Sequence, residues 1–341
     1  MNFLMLRGQV PIDRDPKEIM FNKLEECDDV WTQLFYAMLG DKDVGELWYW
    51  GGSREHKFTP TFTERWVPDF VTYKNSFVPD IIFCRGGFKE YHSVLHKYPN
   101  AIKIYYGAGR RFLPQPGFYN YDIILQDSQE QLEECKKLFP NALTTLFIKP
   151  AADNLFYPMP DVQKEFDVCF PANGSQHFKG HEFIYSTVPC DIKLLNLGNN
   201  PKGYKYSDNV TSVRVLRKQM CHNIARCKMG VVAVNSDIDS CPRVIPELLA
   251  CGLPIVVLNT VKFWKDKYIN QVDMFNGGPY TGELANKENF WDTVRFVLNR
   301  LDKYDSSAYY NNNLSLEKAA KFLTNVINKS KKRRYDYVCD I

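Results

Sequence analysis

Two acids frame the stretch of this sequence with the most chemistry in it. Asp239 and Glu247 stand with seven residues between them, in Asp239-Ser-Cys-Pro-Arg-Val-Ile-Pro-Glu247, flanked by the apolar runs Val231–Val234 and Ile255–Leu258. The pattern reads as a buried strand, a polar loop, a helix from Pro242 or Arg243, a stop at Gly252 and a second buried strand. Pro242 suits a first helical turn, and Ser240 suits its N-cap. The amides of residues 242–244 and the helix dipole then face whatever lies above the sheet, and they favour a phosphate. Two acids spaced in this way reach different parts of one ligand, such as sugar hydroxyls at one end and a ribose at the other.

Further along the chain, residue types that could do chemistry have plainer readings beside them. His177 and His181 flank Lys179 at a helical spacing that suits a metal, but no third ligand is in view, so they read as surface or phosphate-loop histidines. Gly86-Gly87 fits a turn that hugs a substrate as well as it fits an ordinary tight turn. Arg110-Arg111 suits an anionic ligand, although loop arginines are more often solvated. Trp48-Tyr49-Trp50 offers faces for sugars or bases, yet core packing is the more frequent reason for such residues.

These residues sit on short apolar runs that alternate with helical patterns, the grammar of βα units and parallel sheets. The first half reads as strands at Asn2–Leu6, Pro79–Phe83, Ala101–Tyr106, Tyr121–Leu125 and Leu143–Ile148, with helices in 26–39 and over 128–138. The pattern restarts at Phe166–Phe170, with strands at Ile192–Leu197, Val231–Val234 and Ile255–Leu258 and helices near 178–187, 216–228 and 243–251. Lys149–Pro160 carries three prolines and reads as a linker. Ser315 caps a closing helix whose apolar stripe is Leu316, Ala319, Ala320, Leu323, Val326 and Ile327, and the Lys331-Lys-Arg-Arg334 run after it reads as a solvated end. Regions 40–75 and 85–92 read as loops, where binding specificity commonly resides.

Composition narrows the classes. At ~150 residues per domain, a chain of 341 residues has about two domains. Hydrophobic residues make up 45% of it, enough for large cores, and a net charge of +3 excludes bulk attraction to nucleic acid or an anionic membrane as the leading idea. No apolar run approaches the ~18 residues of a membrane span. The ten cysteines are scattered, with no Cys-x-x-Cys, which predicts reduced thiols in a cytoplasmic protein rather than a disulfide framework.

The run Pro242-Arg-Val-Ile-Pro-Glu-Leu-Leu-Ala-Cys-Gly-Leu-Pro254, with its acid, seven residues and glutamate, resembles the carboxyl-terminal signature of retaining glycosyltransferases of the GT-B fold, the family 4-like group. Phe166–Phe170 followed by Phe178-Lys179-Gly180 is similar to the first strand and phosphate-binding Lys-Gly of that family's donor domain, and Lys149–Pro158 to the segment that enters it. The resemblance is specific over about 149–258. It implies two Rossmann-like α/β domains facing across a cleft: an acceptor domain over 1–150, a linker over 151–164, a donor domain over 165–313, and a helix with a basic tail over 314–341. It further implies that Lys179, with Gly180 and the 242–244 amides (Pro242, Arg243, Val244), stabilises the leaving diphosphate, Arg243 assisting. Glu247 would hold the ribose hydroxyls, Asp239 would hold hydroxyls of the transferred sugar, and no metal or other cofactor would be needed.

Asp237-Ile-Asp239 also matches the metal-binding Asp-x-Asp of the other large glycosyltransferase fold, but there it belongs to a single mixed-sheet domain. Where the family usually has a His after the strand matching Ala101–Tyr106, this chain has Tyr105-Tyr106-Gly107-Ala-Gly109-Arg110. Gly86, Gly87, Tyr106 and Arg110 are therefore the candidates for the acceptor side. The expected donor is UDP-linked, with GDP-linked second. The expected acceptor is a glycan, with a modified DNA base of a phage or virus as the alternative. A sugar-nucleotide epimerase and a non-catalytic sugar-nucleotide-binding protein are the rivals from other classes.

Overall fold

The apolar runs of the first half lie side by side as one sheet. In chain order the elements are β1 (Asn2–Arg7), α1 (Val30–Ala37), β2 (Val44–Trp50), β3 (Arg54–Thr59), β4 (Phe62–Val67), β5 (Ile81–Arg85), α2 (Tyr91–Lys97), β6 (Ile102–Gly107), β7 (Ile123–Gln126), α3 (Gln129–Leu138) and β8 (Leu143–Leu146). The sheet order is β3-β4-β2-β1-β5-β6-β7-β8, parallel throughout except for the edge strand β3, which runs antiparallel to β4. Asp29 and Ser128 cap α1 and α3, accepting from the backbone N–H of Thr32 and Gln131.

The second half gives β9 (Phe166–Phe170), α4 (His181–Thr187), β10 (Leu194–Leu197), β11 (Val210–Val213), α5 (Met220–Ala225), β12 (Cys227–Val232), α6 (Val244–Ala250), β13 (Ile255–Leu258), α7 (Lys265–Tyr268), β14 (Gly282–Ala285), α8 (Phe290–Leu298), α9 (Ser306–Asn313) and α10 (Leu316–Cys339). Its sheet is wholly parallel, in the order β11-β10-β9-β12-β13-β14. This computed structural model describes residues 1–8, 27, 29–107, 121–172, 177–201, 207–234, 242–261, 263, 265–272 and 278–339. It divides into two compact units, Met1–Phe147 with Ala319–Ile341, and Ile148–Lys318. The α10 stripe of Ala319, Ala320, Leu323, Val326 and Ile327 is buried, and Ser315 accepts from the Lys318 N–H as its cap. Among the described residues no helix is long and apolar enough to cross a membrane.

Two expectations change. The region 40–75, read as loops, holds β2, β3 and β4. Its acids disguised it: Glu46 lies on a strand and is buried, its carboxylate taking Arg65 through Nε (3.0 Å) and Nη2 (2.9 Å) and the Trp48 indole N–H (2.6 Å). Trp48 is accordingly core. The helix expected over 216–228 is a 3-10 turn, Arg217–Gln219, continuing into α5 and ending at Ala225. From Cys227 the burial alternates (Cys227 and Met229 in, Lys228 out), and the chain pairs with β9 as a strand.

In both sheets the chain leaves a central strand in one direction and later returns on its other side. The reversal falls between β9 and β12 in the second unit and between β1 and β5 in the first. Ligands of open parallel sheets bind beyond the carboxyl ends of strands at such switch points.

Candidate functional site

At the carboxyl ends of β9 and β12 lies a crevice lined by Phe170, Pro171, Ala172, Lys179, residues 231–234, Pro242 and Val244. Two close approaches build it. Gly180 takes φ +81°, and a Cβ there would lie 2.0 Å from the Ala233 carbonyl oxygen, so the Lys179 turn rests directly on the backbone that follows β12. Gly230, in β12, lies under the Leu248 side chain, 2.6 Å from where a Cβ would stand, which lets α6 settle onto the strand. Gly252, at φ +80°, ends α6 as the sequence predicts; its N–H donates to the Leu249 carbonyl and that of Leu253 to Leu248.

Lys179 closes a short 3-10 turn, half-buried, with its ammonium 5.1 Å from the centre of the Phe178 ring. His181 is no surface or phosphate-loop residue. It is buried, its ring packs edge-on to Phe170 and Tyr185, and its Nε2 lies 3.2 Å from the Ala172 carbonyl oxygen, the Nε2–H donating. Burial lowers its pKa from the ordinary value. It braces the strand end rather than facing a ligand.

The helix begins one residue later than expected, at Val244, with Pro242 buried and Arg243 exposed at the N-cap position. Its donors are fewer than the sequence suggests. The Ile245 N–H is spent on the Pro242 carbonyl (3.1 Å) and Pro246 has none, so this end offers the amides of Arg243 and Val244. Asp239, the proposed cap Ser240 and the Asp237-Ile-Asp239 motif lie outside the described residues.

Glu247 sits one turn into α6, 2% exposed. Its Oε1 accepts from Arg217 Nη2 at 2.6 Å, and the guanidinium lies 4.9 Å from the centre of the buried Phe156 ring. Sequence reasoning missed Arg217; nothing in its local pattern marks it, since the pairing bridges two segments thirty residues apart. One turn further along both segments, Cys221 and Cys251 meet, Sγ to Sγ 3.7 Å. The hydrogen bond from Cys251 lowers the Cys221 thiol to about 7, and the same bond, with burial, raises Cys251 well above its ordinary value.

In the first unit the expected acceptor residues separate. Tyr106 is fully buried: its hydroxyl donates to both Asp127 oxygens (3.0 and 2.9 Å), and its ring packs on Trp31 and Phe147. It is therefore not a surface residue on an acceptor face. Gly86, at φ +89°, is a tight turn against the Phe88 ring, and Gly87 is exposed beside it. Arg110 lies outside the described residues. At the β1/β5 switch point stands an ion pair that the sequence reading did not single out, Arg7 with Asp29. Burial opposes the charge on each, but their mutual attraction prevails, holding Asp29 well below the usual carboxylate range and raising Arg7. Arg85 lies 5.2 Å over the Trp31 ring and adds to the field on Asp29. Among the described residues no three of His, Cys, Asp or Glu gather in a way that could hold a metal ion.

No family model matches the sequence, and no curated protein matches it. Solved structures do match over nearly the whole chain. Sucrose-phosphate synthase from Thermosynechococcus elongatus superposes with a TM-score of 0.67 at 12% identity, covering 96% of this chain and 98% of that one. HepE of Anabaena, solved in complex with UDP-glucose, gives 0.63 at 11%, covering 96% and 100%. An alpha-glucosyltransferase solved with UDP and a 13-mer DNA containing an HMU base gives 0.63 at 12%, covering 96% and 99%. These likenesses establish the fold, which is GT-B.

Proposed function

We propose that this chain, built on the GT-B fold, is a glycosyltransferase that moves a sugar from a nucleotide-sugar donor to an acceptor, with retention and without a metal. One observation carries the reading. At the switch point of a wholly parallel sheet, Lys179 and the amino end of α6 share a crevice, and a buried carboxylate, Glu247, stands one turn behind it. A cation and amides suit a diphosphate, and a carboxylate suits a ribose diol. The UDP-glucose and UDP held by two of the similar structures support the same donor class.

As the glycosidic bond to the diphosphate breaks, negative charge grows on the leaving oxygen. Lys179 and the Arg243 and Val244 amides stabilise it, and a fixed cation there costs no reorganisation during the reaction. Glu247 fixes the nucleoside, and Asp239 holds hydroxyls of the transferred sugar. The acceptor hydroxyl attacks from the face the leaving group departs from, and a phosphate oxygen takes its proton, so no protein nucleophile is required. Gly180 contributes by letting the lysine turn approach β12.

UDP-linked donors come first and GDP-linked second. A glycan is the acceptor of the main reading, bound by the first unit. The solved alpha-glucosyltransferase with DNA favours a second reading, a modified base in DNA. Salt-sensitive binding of duplex DNA separates the two. The deciding experiment substitutes Lys179→Ala and Glu247→Ala. Each should reduce donor binding or turnover by orders of magnitude in a folded protein, and near-normal activity in both would overturn the site. Conversion of the donor with no acceptor present would make the protein an epimerase, and donor binding with no turnover would make it a binding protein.

A further inference from the structure

Glu247 is a carboxylate in a nearly dry place, 2% exposed, and a buried acid needs a hydrogen-bonding partner. Its partner is specific. The Arg217 guanidinium commits one Nη2–H to Oε1 at 2.6 Å and lies over the Phe156 ring, so the pair is held from two sides. Among the described residues the second carboxylate oxygen takes no hydrogen bond. The Cys221–Cys251 contact one turn along clamps the same two segments, which fixes the register of Arg217 against α6.

From this geometry we infer that Arg217 is a positioning residue for nucleoside recognition, fixing the Glu247 carboxylate with one oxygen committed and the other left to accept from a ribose diol. The inference rests on the donor-site reading above and adds to it the residue that makes Glu247 selective for ribose. A guanidinium is suited to this: planar, always charged and stacked on an aromatic ring, it keeps one orientation where a lysine would swing. The other titratable groups near Glu247 are Cys251 on its own helix and Tyr310 on α9. Both are raised above their ordinary values, Cys251 by its bond to Cys221 and by burial, Tyr310 by burial and by Asp153, so both stay neutral. Arg217 is therefore the cation that meets Glu247 among the described residues.

The test titrates UDP, GDP and ADP, each against its 2′-deoxy form, and inorganic pyrophosphate, into the wild type, Arg217→Gln and Arg217→Lys. The wild type should prefer the ribo form of its best nucleotide by tenfold or more, the deoxy form losing one hydrogen bond to a carboxylate. Arg217→Gln should cut that preference to under threefold. Arg217→Lys, which keeps the charge but not the stacked orientation, should restore only part of it, and pyrophosphate affinity should stay within twofold in all three. A folded Arg217→Gln that keeps the wild-type preference, or that loses ribo and deoxy forms equally, would show the ion pair to be structural only. A wild type that binds none of the nucleotides would instead overturn the donor-site reading itself.

Discussion

Replacing Gly180 by alanine tests how the site is assembled. The residue has φ +81°, and its Cβ would fall 2.0 Å from the Ala233 carbonyl oxygen and 2.8 Å from the carbon. Carbon and oxygen in weak contact stand about 3.3 Å apart, so the two backbones must separate by roughly an ångström. The left-handed conformation costs a side chain ~1–2 kcal/mol, and forced overpacking adds ~1–3 kcal/mol. The sum is about 2–5 kcal/mol, and at about 2–4 °C per kcal/mol for a unit of this size the melting temperature should fall by roughly 4–20 °C. Gly252 supplies the control. Its φ is +80°, but the nearest atom to an added Cβ is 3.7 Å away, so Gly252→Ala should show the backbone cost alone. The assay is thermal melting of both variants, followed by nucleotide titration at a temperature where each is folded. Because Lys179 immediately precedes it, Gly180→Ala should also weaken nucleotide binding by tenfold or more, and Gly252→Ala should not. Equal melting temperatures for the two variants would refute the close-approach argument.

Three further outcomes follow from the geometry. Burial pushes the Glu64 carboxyl up to about 7 from its ordinary 4.5, against help from the Tyr49 hydroxyl and Arg7. Between those values the folded chain holds a proton the unfolded chain has lost, so this group makes stability fall as pH rises from 4.5 to 7, by roughly 3 kcal/mol in all; Glu64→Gln should remove that slope, and a wild-type-to-variant difference in urea midpoint that is equal at pH 4.5 and pH 8 would contradict it. Tyr106→Phe leaves buried Asp127 without its phenol donor and should cost about 1–3 kcal/mol in denaturant unfolding without moving nucleotide affinity; a changed affinity would tie Tyr106 to the site after all. Lys179→Ala should keep the wild-type melting temperature within a degree or two while losing pyrophosphate binding at least tenfold, and retained binding would remove the lysine from the phosphate.

The apolar runs that became β5, β6, β9 and β13 were legible because strands buried on both faces read as unbroken hydrophobic stretches. β2 and β4 were not, because Glu46 and Glu64 are acids buried on strands, and their partners, Arg65 for one and Tyr49 for the other, are not neighbours in the sequence. α6 was legible from its proline start and glycine stop, and so was the place of Lys179 after the first strand of the second unit. Arg217 was not, since its value lies in a contact with a residue thirty positions away. Tyr106 shows the opposite error: its place at the end of β6 suggested a surface role, while the rings of Trp31 and Phe147 take it into the core.

The central claim is a nucleotide-sugar site that works without metal, and the most direct test is thermal shift with UDP, GDP and ADP compounds and their sugars, first in chelator and then with a divalent cation. A ligand at a hundred times its dissociation constant stabilises the native state by about 2.7 kcal/mol, which melting resolves. The account predicts stabilisation by UDP or GDP compounds in chelator. No response to any of them, or one that requires metal, would contradict it.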